Sequence, residues 1–300
     1  MTMPNTNERV DGLMQLSDRV YPIIDQLVDG ETSARRILRV GIATTALALH
    51  EQASPTQAGN LFHGQLLAGL SLGGLSTKDT TYNHWPRYQQ TTQALEVPHY
   101  LDTTTAFDTL SNNYADILRA TKNAAHELET DATHAIHLAS LALPYAAEFY
   151  PKLNQGKIAL YCLLHDILEA YTGDVATLSI SAKGLKTKQD NEALAFIQFK
   201  KDYSVEWPEF VAVVHDYENL ADSEATFVKS FDKLDPGFTH FANHGEQLLN
   251  RFSFTSAKSF MSEAEVTVRR MAPYAKPFAK VIEDRHTLHK RIAAHVIWPQ

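Results

Sequence analysis

Two stretches of the chain, residues 133–150 and 156–171, constrain the fold more than any other feature of the sequence. Both are so rich in Ala, Leu and Ile that a helix built from either would be apolar on nearly every side. A helix of that kind must be buried, because no face of it is suited to water. The two stretches therefore predict buried central helices in a mainly α protein.

The remainder of the sequence has the same helical character, and its strand signals are weak. Apolar residues recur every third or fourth position between Val10 and Val28, which is typical of an amphipathic helix. Ser262, followed by Glu263 and Glu265, resembles a capping box and predicts the start of a C-terminal helix. Further helices are predicted at 33–50, 60–75, 106–128, 189–203, 208–217 and 224–235.

Two segments predict irregular structure between these helices. Residues 76–105 are rich in Thr, Asn, Pro and Tyr, and residues 174–188 are rich in Ser, Thr, Gly and Lys. We expect a helical N-terminal region at 1–105, a core at 106–250 and a helical C-terminal extension at 251–300. The composition suggests no role for the two outer regions.

Composition and charge exclude several classes of protein. The 300 residues carry a net charge of −8, whereas a duplex nucleic-acid binder needs a basic surface. The acidic excess lies in the middle of the chain, which suits a cation site. The single cysteine cannot form an internal disulfide, and the polar start lacks a secretory signal, so we expect a cytoplasmic protein. The uncharged stretch 52–77 is too polar and glycine-rich for a membrane span.

Polar residues inside the apolar stretch 156–171 are the first functional signal. His165 and Asp166 are adjacent there, and Glu169 follows His165 by four positions, one helical turn on. Buried polar groups are costly unless they are paired or bound to a metal. Two interpretations remain open for this segment alone: a metal site, or a buried hydrogen-bonded histidine with exposed Asp and Glu.

His134 and Asp232 favour the metal site. Each lies on a further helix whose pattern predicts burial. Together with His165 and Asp166 they would give two nitrogen and two oxygen ligands. Such a mixed set suits a divalent metal ion and does not distinguish Mn, Co, Mg, Fe or Zn.

The order His134, His165-Asp166 and Asp232 resembles the HD-domain metal-dependent phosphohydrolases. The runs at 165–174 and 217–235 are similar to the 5′-deoxynucleotidase branch of that superfamily, and the resemblance covers about residues 115–245. It implies an HD-domain helical bundle with helical N- and C-terminal extensions. The sequence departs from the branch before the first ligand, where Asp131-Ala-Thr stands and His137 follows.

The resemblance also implies roles for three residues near the ligands. Glu169 is expected to be the catalytic group that orients or deprotonates the attacking water, or protonates the leaving oxygen. Asp174 is expected to contact the sugar hydroxyl, with a plain turn residue as the alternative. Arg119 is the candidate for binding the phosphate, with an ordinary solvated helix charge as the alternative.

Two other motifs that contain histidine carry less weight. His215-Asp216 repeats the dipeptide, but we interpret it as a surface turn. His240 and His244 have a spacing that can chelate a metal, yet a structural or surface role is favoured.

These residues predict a metal-dependent phosphohydrolase that removes phosphate from a nucleotide, with a deoxynucleoside 5′-monophosphate as first choice. A nucleotide triphosphohydrolase or phosphodiesterase is the alternative among enzymes. A catalytically inactive HD module that binds a nucleotide or a regulatory partner is the alternative outside them. We expect a nucleotide partner, no duplex nucleic acid and no membrane, and we leave a homo-oligomer open.

Overall fold

The computed structural model describes residues 4–75 and 107–299, and it is mainly α-helical, as the sequence predicts. The predicted linker at 76–105 lies outside the described residues. In the described part of the chain, no helix is long and apolar enough to cross a membrane.

The N-terminal part consists of three helices and a short hairpin. Helix α1 begins with a capping box in which Asn5 accepts from the backbone of Glu8, and Glu8 in turn accepts from the backbone of Asn5. Strands β1 and β2 pair antiparallel around a turn in which Gly30 has a φ of +86°. The elements are α1 (Thr6–Ile24), β1 (Leu27–Val28), β2 (Glu31–Thr32), α2 (Ser33–His50) and α3 (Pro55–Leu72).

The two apolar stretches form helices at the centre of the fold. Every residue from Asp131 to Ala146 is buried, and so is every residue from Gly156 to Leu164 except Lys157. The prediction of buried central helices is therefore confirmed. The elements of this part are α4 (Asp108–Ala115), β3 (Leu118–Lys122), β4 (Leu128–Thr130), α5 (Asp131–Phe149), α6 (Gln155–Leu164) and α7 (Glu169–Thr172).

The described C-terminal part consists of seven helices and one 3₁₀ turn. They are α8 (Ala182–Tyr203), α9 (Pro208–Glu218), α10 (Ser223–Asp232), α11 (Pro236–Ala242), α12 (Glu246–Asn250), α13 (Ala257–Ala275), a 3₁₀ turn (Lys276–Phe278) and α14 (Ala279–His295). Helix α14 packs on α1, α11 and α13, so the two ends of the chain meet.

The N-terminal helices pack directly on the central pair. Helix α3 lies along α6, while α1 and α2 both contact α5. The closest approach is between two glycines, since a Cβ added to Gly59 would overlap the carbonyl oxygen of Gly156. Only residues without a side chain allow the two helix backbones to come so near.

The predicted helix at 106–128 is wrong beyond Ala115. Strands β3 and β4 form an antiparallel hairpin there. Its turn is fixed by Asn123, whose Oδ1 accepts from the backbone N–H groups of Ala125 and Glu127. A side chain that bonds its own backbone in this way competes with helix formation.

The predicted continuous helix at 156–171 is also interrupted. Helix α6 ends at Leu164, and bonds of the i to i+3 type follow, including Glu169 N–H to Asp166 O at 2.8 Å. His165 and Asp166 therefore lie in a turn, and Glu169 begins a new short helix. His165 and Asp166 thus lie at a helix end, where their side chains can point in different directions.

Two predicted helix starts are displaced. Helix α13 begins at Ala257 behind the cap Ser256, so Ser262 lies inside the helix and does not cap it. Helix α8 begins at Ala182 behind the cap Ser181, seven residues before the predicted start at Gln189. In both cases a serine at the true N-cap accepts a backbone N–H, which is the interaction that sets a helix start.

The glycine contact between α3 and α6 predicts that Gly59→Ala destabilises the fold. The added methyl group must push the two backbones apart, which costs about 1–3 kcal/mol in a well-packed core. The measurement is the free energy of unfolding in urea. Gly184→Ala is the control, because a Cβ there meets only side-chain atoms of Ile180 and Ser181. Equal stability of Gly59→Ala and wild type would contradict this account of the packing.

Candidate metal centre

The structure brings the four predicted ligands together from three separate elements. His134 lies on α5, His165 and Asp166 lie at the end of α6, and Asp232 is the last residue of α10. Each offers one ligand atom, and these atoms all lie within 4.8 Å of one another. Both histidines and Asp232 are buried, while the Asp166 side chain keeps 19% of its surface exposed.

The imidazole of His134 is held from behind by a carboxylate. Its Nδ1 donates to Oδ2 of Asp235 at 2.9 Å, and its Nε2 lies 3.1 Å from Oδ1 of Asp232. Although burial opposes it, hydrogen bonds to Asp232 and Asp235 raise the pKa of His134 to about 10. Because Nδ1 is bonded to Asp235, Nε2 is the atom of His134 that faces the cluster.

The imidazole of His165 is oriented by a backbone group. Its Nδ1 donates to the carbonyl oxygen of Cys162 at 2.9 Å, which leaves the lone pair on Nε2. That Nε2 is buried and makes no hydrogen bond, yet it lies 3.0 Å from Oδ2 of Asp166 and 3.9 Å from Oδ1 of Asp232. A buried nitrogen without a hydrogen bond, facing two carboxylates, is suited to a cation.

The donor chemistry fits a divalent metal. Two imidazole nitrogens and two carboxylate oxygens converge, and each imidazole donates its other N–H to a carboxylate or a carbonyl, as metal-bound histidines generally do. Lys233 lies beside the cluster, with its Nζ 2.7 Å from Oδ2 of Asp232. Against the effect of burial, the charges of Lys233 and the histidines hold the pKa of Asp232 well below its ordinary value.

Asp235 connects the centre to the N-terminal helix. Its Oδ1 accepts from Nδ1 of His137 at 2.8 Å, while Oδ2 accepts from His134. Nε2 of His137 lies 3.0 Å from Oγ of Ser17, and the ring stacks on Tyr21 with centroids 4.1 Å apart. A chain of buried contacts therefore runs from α1 to the first ligand.

A second group of carboxylates shares one ligand with the first. Asp131, Asp166 and Glu169 also bring oxygen atoms within 4.8 Å of one another. Arg119 lies among them, with Nη1 2.8 Å from Oδ1 of Asp131 and 3.2 Å from Oδ2 of Asp166. Lys188 donates to Oε1 of Glu169 at 3.0 Å. These cations offset part of the repulsion between the carboxylates.

Glu169 holds its proton more tightly than an ordinary glutamate. Burial, followed by the negative charges of Asp166 and Asp131, raises its pKa to about 10. Its Oε2 is buried and makes no hydrogen bond. The site thus contains one carboxyl group that favours the protonated form beside a cluster of ionised ones.

The other predicted site residues line the same cavity. Asp174 is half-buried just after Gly173, and it shares the cavity with Asp166, Asp232 and Arg119. The Arg119 side chain, on β3, keeps only 11% of its surface exposed, so the solvated helix charge considered as an alternative is wrong. His215-Asp216 is exposed, although it lies in the last turn of α9 and not in a loop.

Four charged residues of the site were missed by sequence reasoning. Asp235 follows Asp232 by three positions, and Asp131 precedes His134 by three, so helical spacing was a usable signal for both. Lys233 is adjacent to a predicted ligand. Lys188 had no such signal, because it reaches Glu169 from a helix that begins earlier than its sequence indicates.

Comparison with known proteins agrees with this geometry. The family model of the HD domain matches residues 115–273, more than half of the chain. The protein therefore belongs to the HD-domain family. Its divalent metal cofactor follows from this membership together with the His/Asp cluster.

Among solved structures, the chain is similar to a predicted metal-dependent phosphohydrolase from Magnetospirillum magnetotacticum MS-1. The two are 20% identical, the alignment covers 66% of this chain and 93% of the other, and the TM-score is 0.47. A comparison with curated proteins finds no match.

The contacts of Asp235 predict that Asp235→Asn weakens metal binding. His134 and His137 bond different oxygens of Asp235, and asparagine replaces one of those oxygens by an NH2 donor, so one of the two imidazole N–H groups loses its acceptor. Loss of such a supporting contact reduces metal affinity by about 10–100-fold. The measurement is a competition titration of the metal against a chelator.

Asp284→Asn is the matched control for that experiment. Asp284 is equally buried, but it bonds Arg9 and Tyr145 and not a predicted ligand. We expect this variant to lose stability and keep its metal affinity. Unchanged metal affinity in Asp235→Asn would show that Asp235 does not position His134.

Proposed function

We propose that this protein is a metal-dependent phosphohydrolase that removes phosphate from a nucleotide, with a deoxynucleoside 5′-monophosphate as the preferred substrate class. The observation that carries the proposal is the cluster of four ligand atoms opening into a cavity lined by Arg119, Lys188 and Lys233. A metal site beside several cations suits a phosphate ester. The choice of deoxynucleotide rests on the sequence similarity at 165–174 and 217–235.

In this proposal the metal is held by His134, His165, Asp166 and Asp232. When bound, a divalent cation supplies Lewis acidity toward a phosphoryl oxygen and toward the attacking water. The contacts of Asp235 and of the Cys162 carbonyl fix both imidazoles before substrate arrives. Preorganised ligands of this kind spend little free energy on rearrangement.

The cations of the cavity position the phosphate. Arg119 presents a planar fork of N–H donors that matches phosphate oxygens, and Lys188 and Lys233 add two further charges on other sides. Arg119 already bridges Asp131 and Asp166, so its guanidinium is held in place at the edge of the metal cluster. These cations suit a substrate in which one group carries at least two negative charges.

Glu169 manages a proton in the proposed reaction. Because its pKa is raised to about 10, the carboxyl is protonated at neutral pH and can donate from Oε2 to the leaving ester oxygen. Lys188 holds Oε1, which leaves Oε2 without a hydrogen-bond partner among the described residues. Asp174, half-buried on the same wall, is assigned to the sugar hydroxyl.

An inactive binding module is the competing proposal. A module that only binds nucleotide has no use for a complete set of four ligands or for a protonated carboxyl beside them. Both features are present here, which favours the enzyme.

The proton role predicts that Glu169→Gln keeps its metal and loses turnover. Glutamine preserves the shape of the side chain but cannot transfer the proton, so kcat should fall by about 10²–10⁴-fold. Asp166→Asn should instead lose metal and activity together, because a charged ligand has gone. Metal content and phosphate release are measured on both variants.

Glu192→Gln is the control for Glu169→Gln. Glu192 pairs with the same Lys188 at 3.0 Å and lines the same cavity, but it is outside the carboxylate cluster. It should retain near-normal turnover. If Glu169→Gln also retained it, the proton would have to come from another group, whereas loss of metal would make Glu169 a ligand or its support.

The substrate class is tested by phosphate release from the metal-loaded protein over deoxynucleoside and ribonucleoside mono-, di- and triphosphates. We expect kcat/KM to be highest for a deoxynucleoside 5′-monophosphate. Highest activity on a triphosphate would move the assignment to a triphosphohydrolase. No release from any nucleotide by a protein that binds metal would favour the inactive module.

A further inference from the structure

The cavity of the metal centre continues to a second group of basic residues. Arg285, His240 and His289 line this further part, together with Phe252 and Phe260. All three basic residues are buried, with exposures of 4%, 5% and 6%. None of them belongs to either carboxylate cluster.

Arg285 is held only by backbone carbonyl groups. Its Nε donates to the carbonyl of Lys233 at 2.8 Å, and its Nη1 donates to the carbonyl of Ala264 at 3.1 Å. No carboxylate among the described residues forms an ion pair with it. Burial lowers the pKa of Arg285 to about 10, so the guanidinium remains charged at neutral pH.

The two histidines are similarly unpartnered. Neither imidazole makes a hydrogen bond with any described residue, and in both rings Nδ1 is buried without a hydrogen-bond partner. Phe260 packs edge-on against His289, and Phe252 packs edge-on against His240. Burial lowers the pKa of both rings, so each is neutral and offers one N–H donor.

Comparison with Arg9, another buried arginine, shows that Arg285 lacks a carboxylate partner among the described residues. Arg9 has the same degree of burial, but it lies against Asp284 at 2.7 Å and Glu283 at 3.0 Å. A buried charge is normally paired in this way, because its desolvation is costly. Arg285 differs in that its charge faces a cavity, where a ligand can provide the counter-charge.

We propose that Arg285, His240 and His289 form a second anion subsite that binds a phosphate group. A guanidinium together with the N–H donors of two imidazoles suits a tetrahedral oxyanion, and Phe252 and Phe260 line the cavity beside them. The phosphate can be a free ion or a second phosphate group of a nucleotide. The subsite stands on its own contacts and does not require the proposed phosphohydrolase activity.

The subsite is tested by isothermal titration calorimetry of the full-length, metal-loaded protein with inorganic phosphate. We expect wild type to bind two phosphate ions per chain, one at the metal centre and one at the subsite. Arg285→Gln should weaken the second by about 10–100-fold, the range expected for hydrogen bonds to a charged group. The readout needs no turnover, so it remains informative if no nucleotide is hydrolysed.

Arg270→Gln is the matched control. Arg270 also donates to two backbone carbonyls, those of Thr177 and Ile180, but it does not line the cavity. It should keep both phosphate sites. If Arg285→Gln proves unfolded by its thermal transition, His289→Phe decides instead, with a weakening of about 3–10-fold for a lost neutral hydrogen bond.

Nucleotides then distinguish the two sources of phosphate. Weaker binding of a nucleoside diphosphate by Arg285→Gln, with unchanged binding of the monophosphate, would assign the subsite to a second phosphate of the nucleotide. Unchanged binding of both nucleotides, with weaker binding of inorganic phosphate, would assign it to the free ion. A single phosphate per wild-type chain that a folded Arg285→Gln still binds equally well, or two equally tight sites in that variant, would overturn the proposal.

Discussion

The carboxylate of Asp235 is the interaction on which the rest of the centre depends. It accepts from His134 and His137, two residues one turn apart on α5, and both partners are completely buried. A buried carboxylate is tolerable only because two N–H donors saturate it. The same contact fixes which nitrogen of His134 faces the cluster of candidate ligand atoms. Through His137 and Ser17 it also connects the N-terminal helix to the candidate ligands. The geometry of the cluster therefore depends on the packing of that helix.

The position of the HD dipeptide at the end of α6 follows the same physical logic. Inside a continuous helix, the adjacent residues His165 and Asp166 would not face each other. The turn after Leu164 lets Asp166 reach both carboxylate clusters, while the Cys162 carbonyl, freed at the helix end, accepts from His165. The helix end therefore orients His165 and places Glu169 at the start of a separate short helix.

How far the sequence predicts this site depends on the range of the interactions involved. His134, His165, Asp166 and Asp232 could be found because a polar residue on an apolar helix is conspicuous at short range. The hairpin that carries Arg119 could not, because its strands are short and its turn is set by one asparagine. Lys188 and Arg285 were also beyond reach, since each enters the cavity from a helix whose own pattern gives no sign of it. Local pattern thus identifies ligands, while tertiary packing selects the cations around them.

The cavity as a whole has two ends of different character. At the metal end, cations alternate with carboxylates, and Arg119 and Lys188 each contact at least one acid. At the other end, Arg285 and two imidazoles meet no acid among the described residues, so the potential there is positive and uncompensated. Arg285 joins the two ends, because it bonds the carbonyl of Lys233, the residue next to the ligand Asp232. The C-terminal helices, for which composition suggested no role, therefore supply Arg285 and His289 to the cavity.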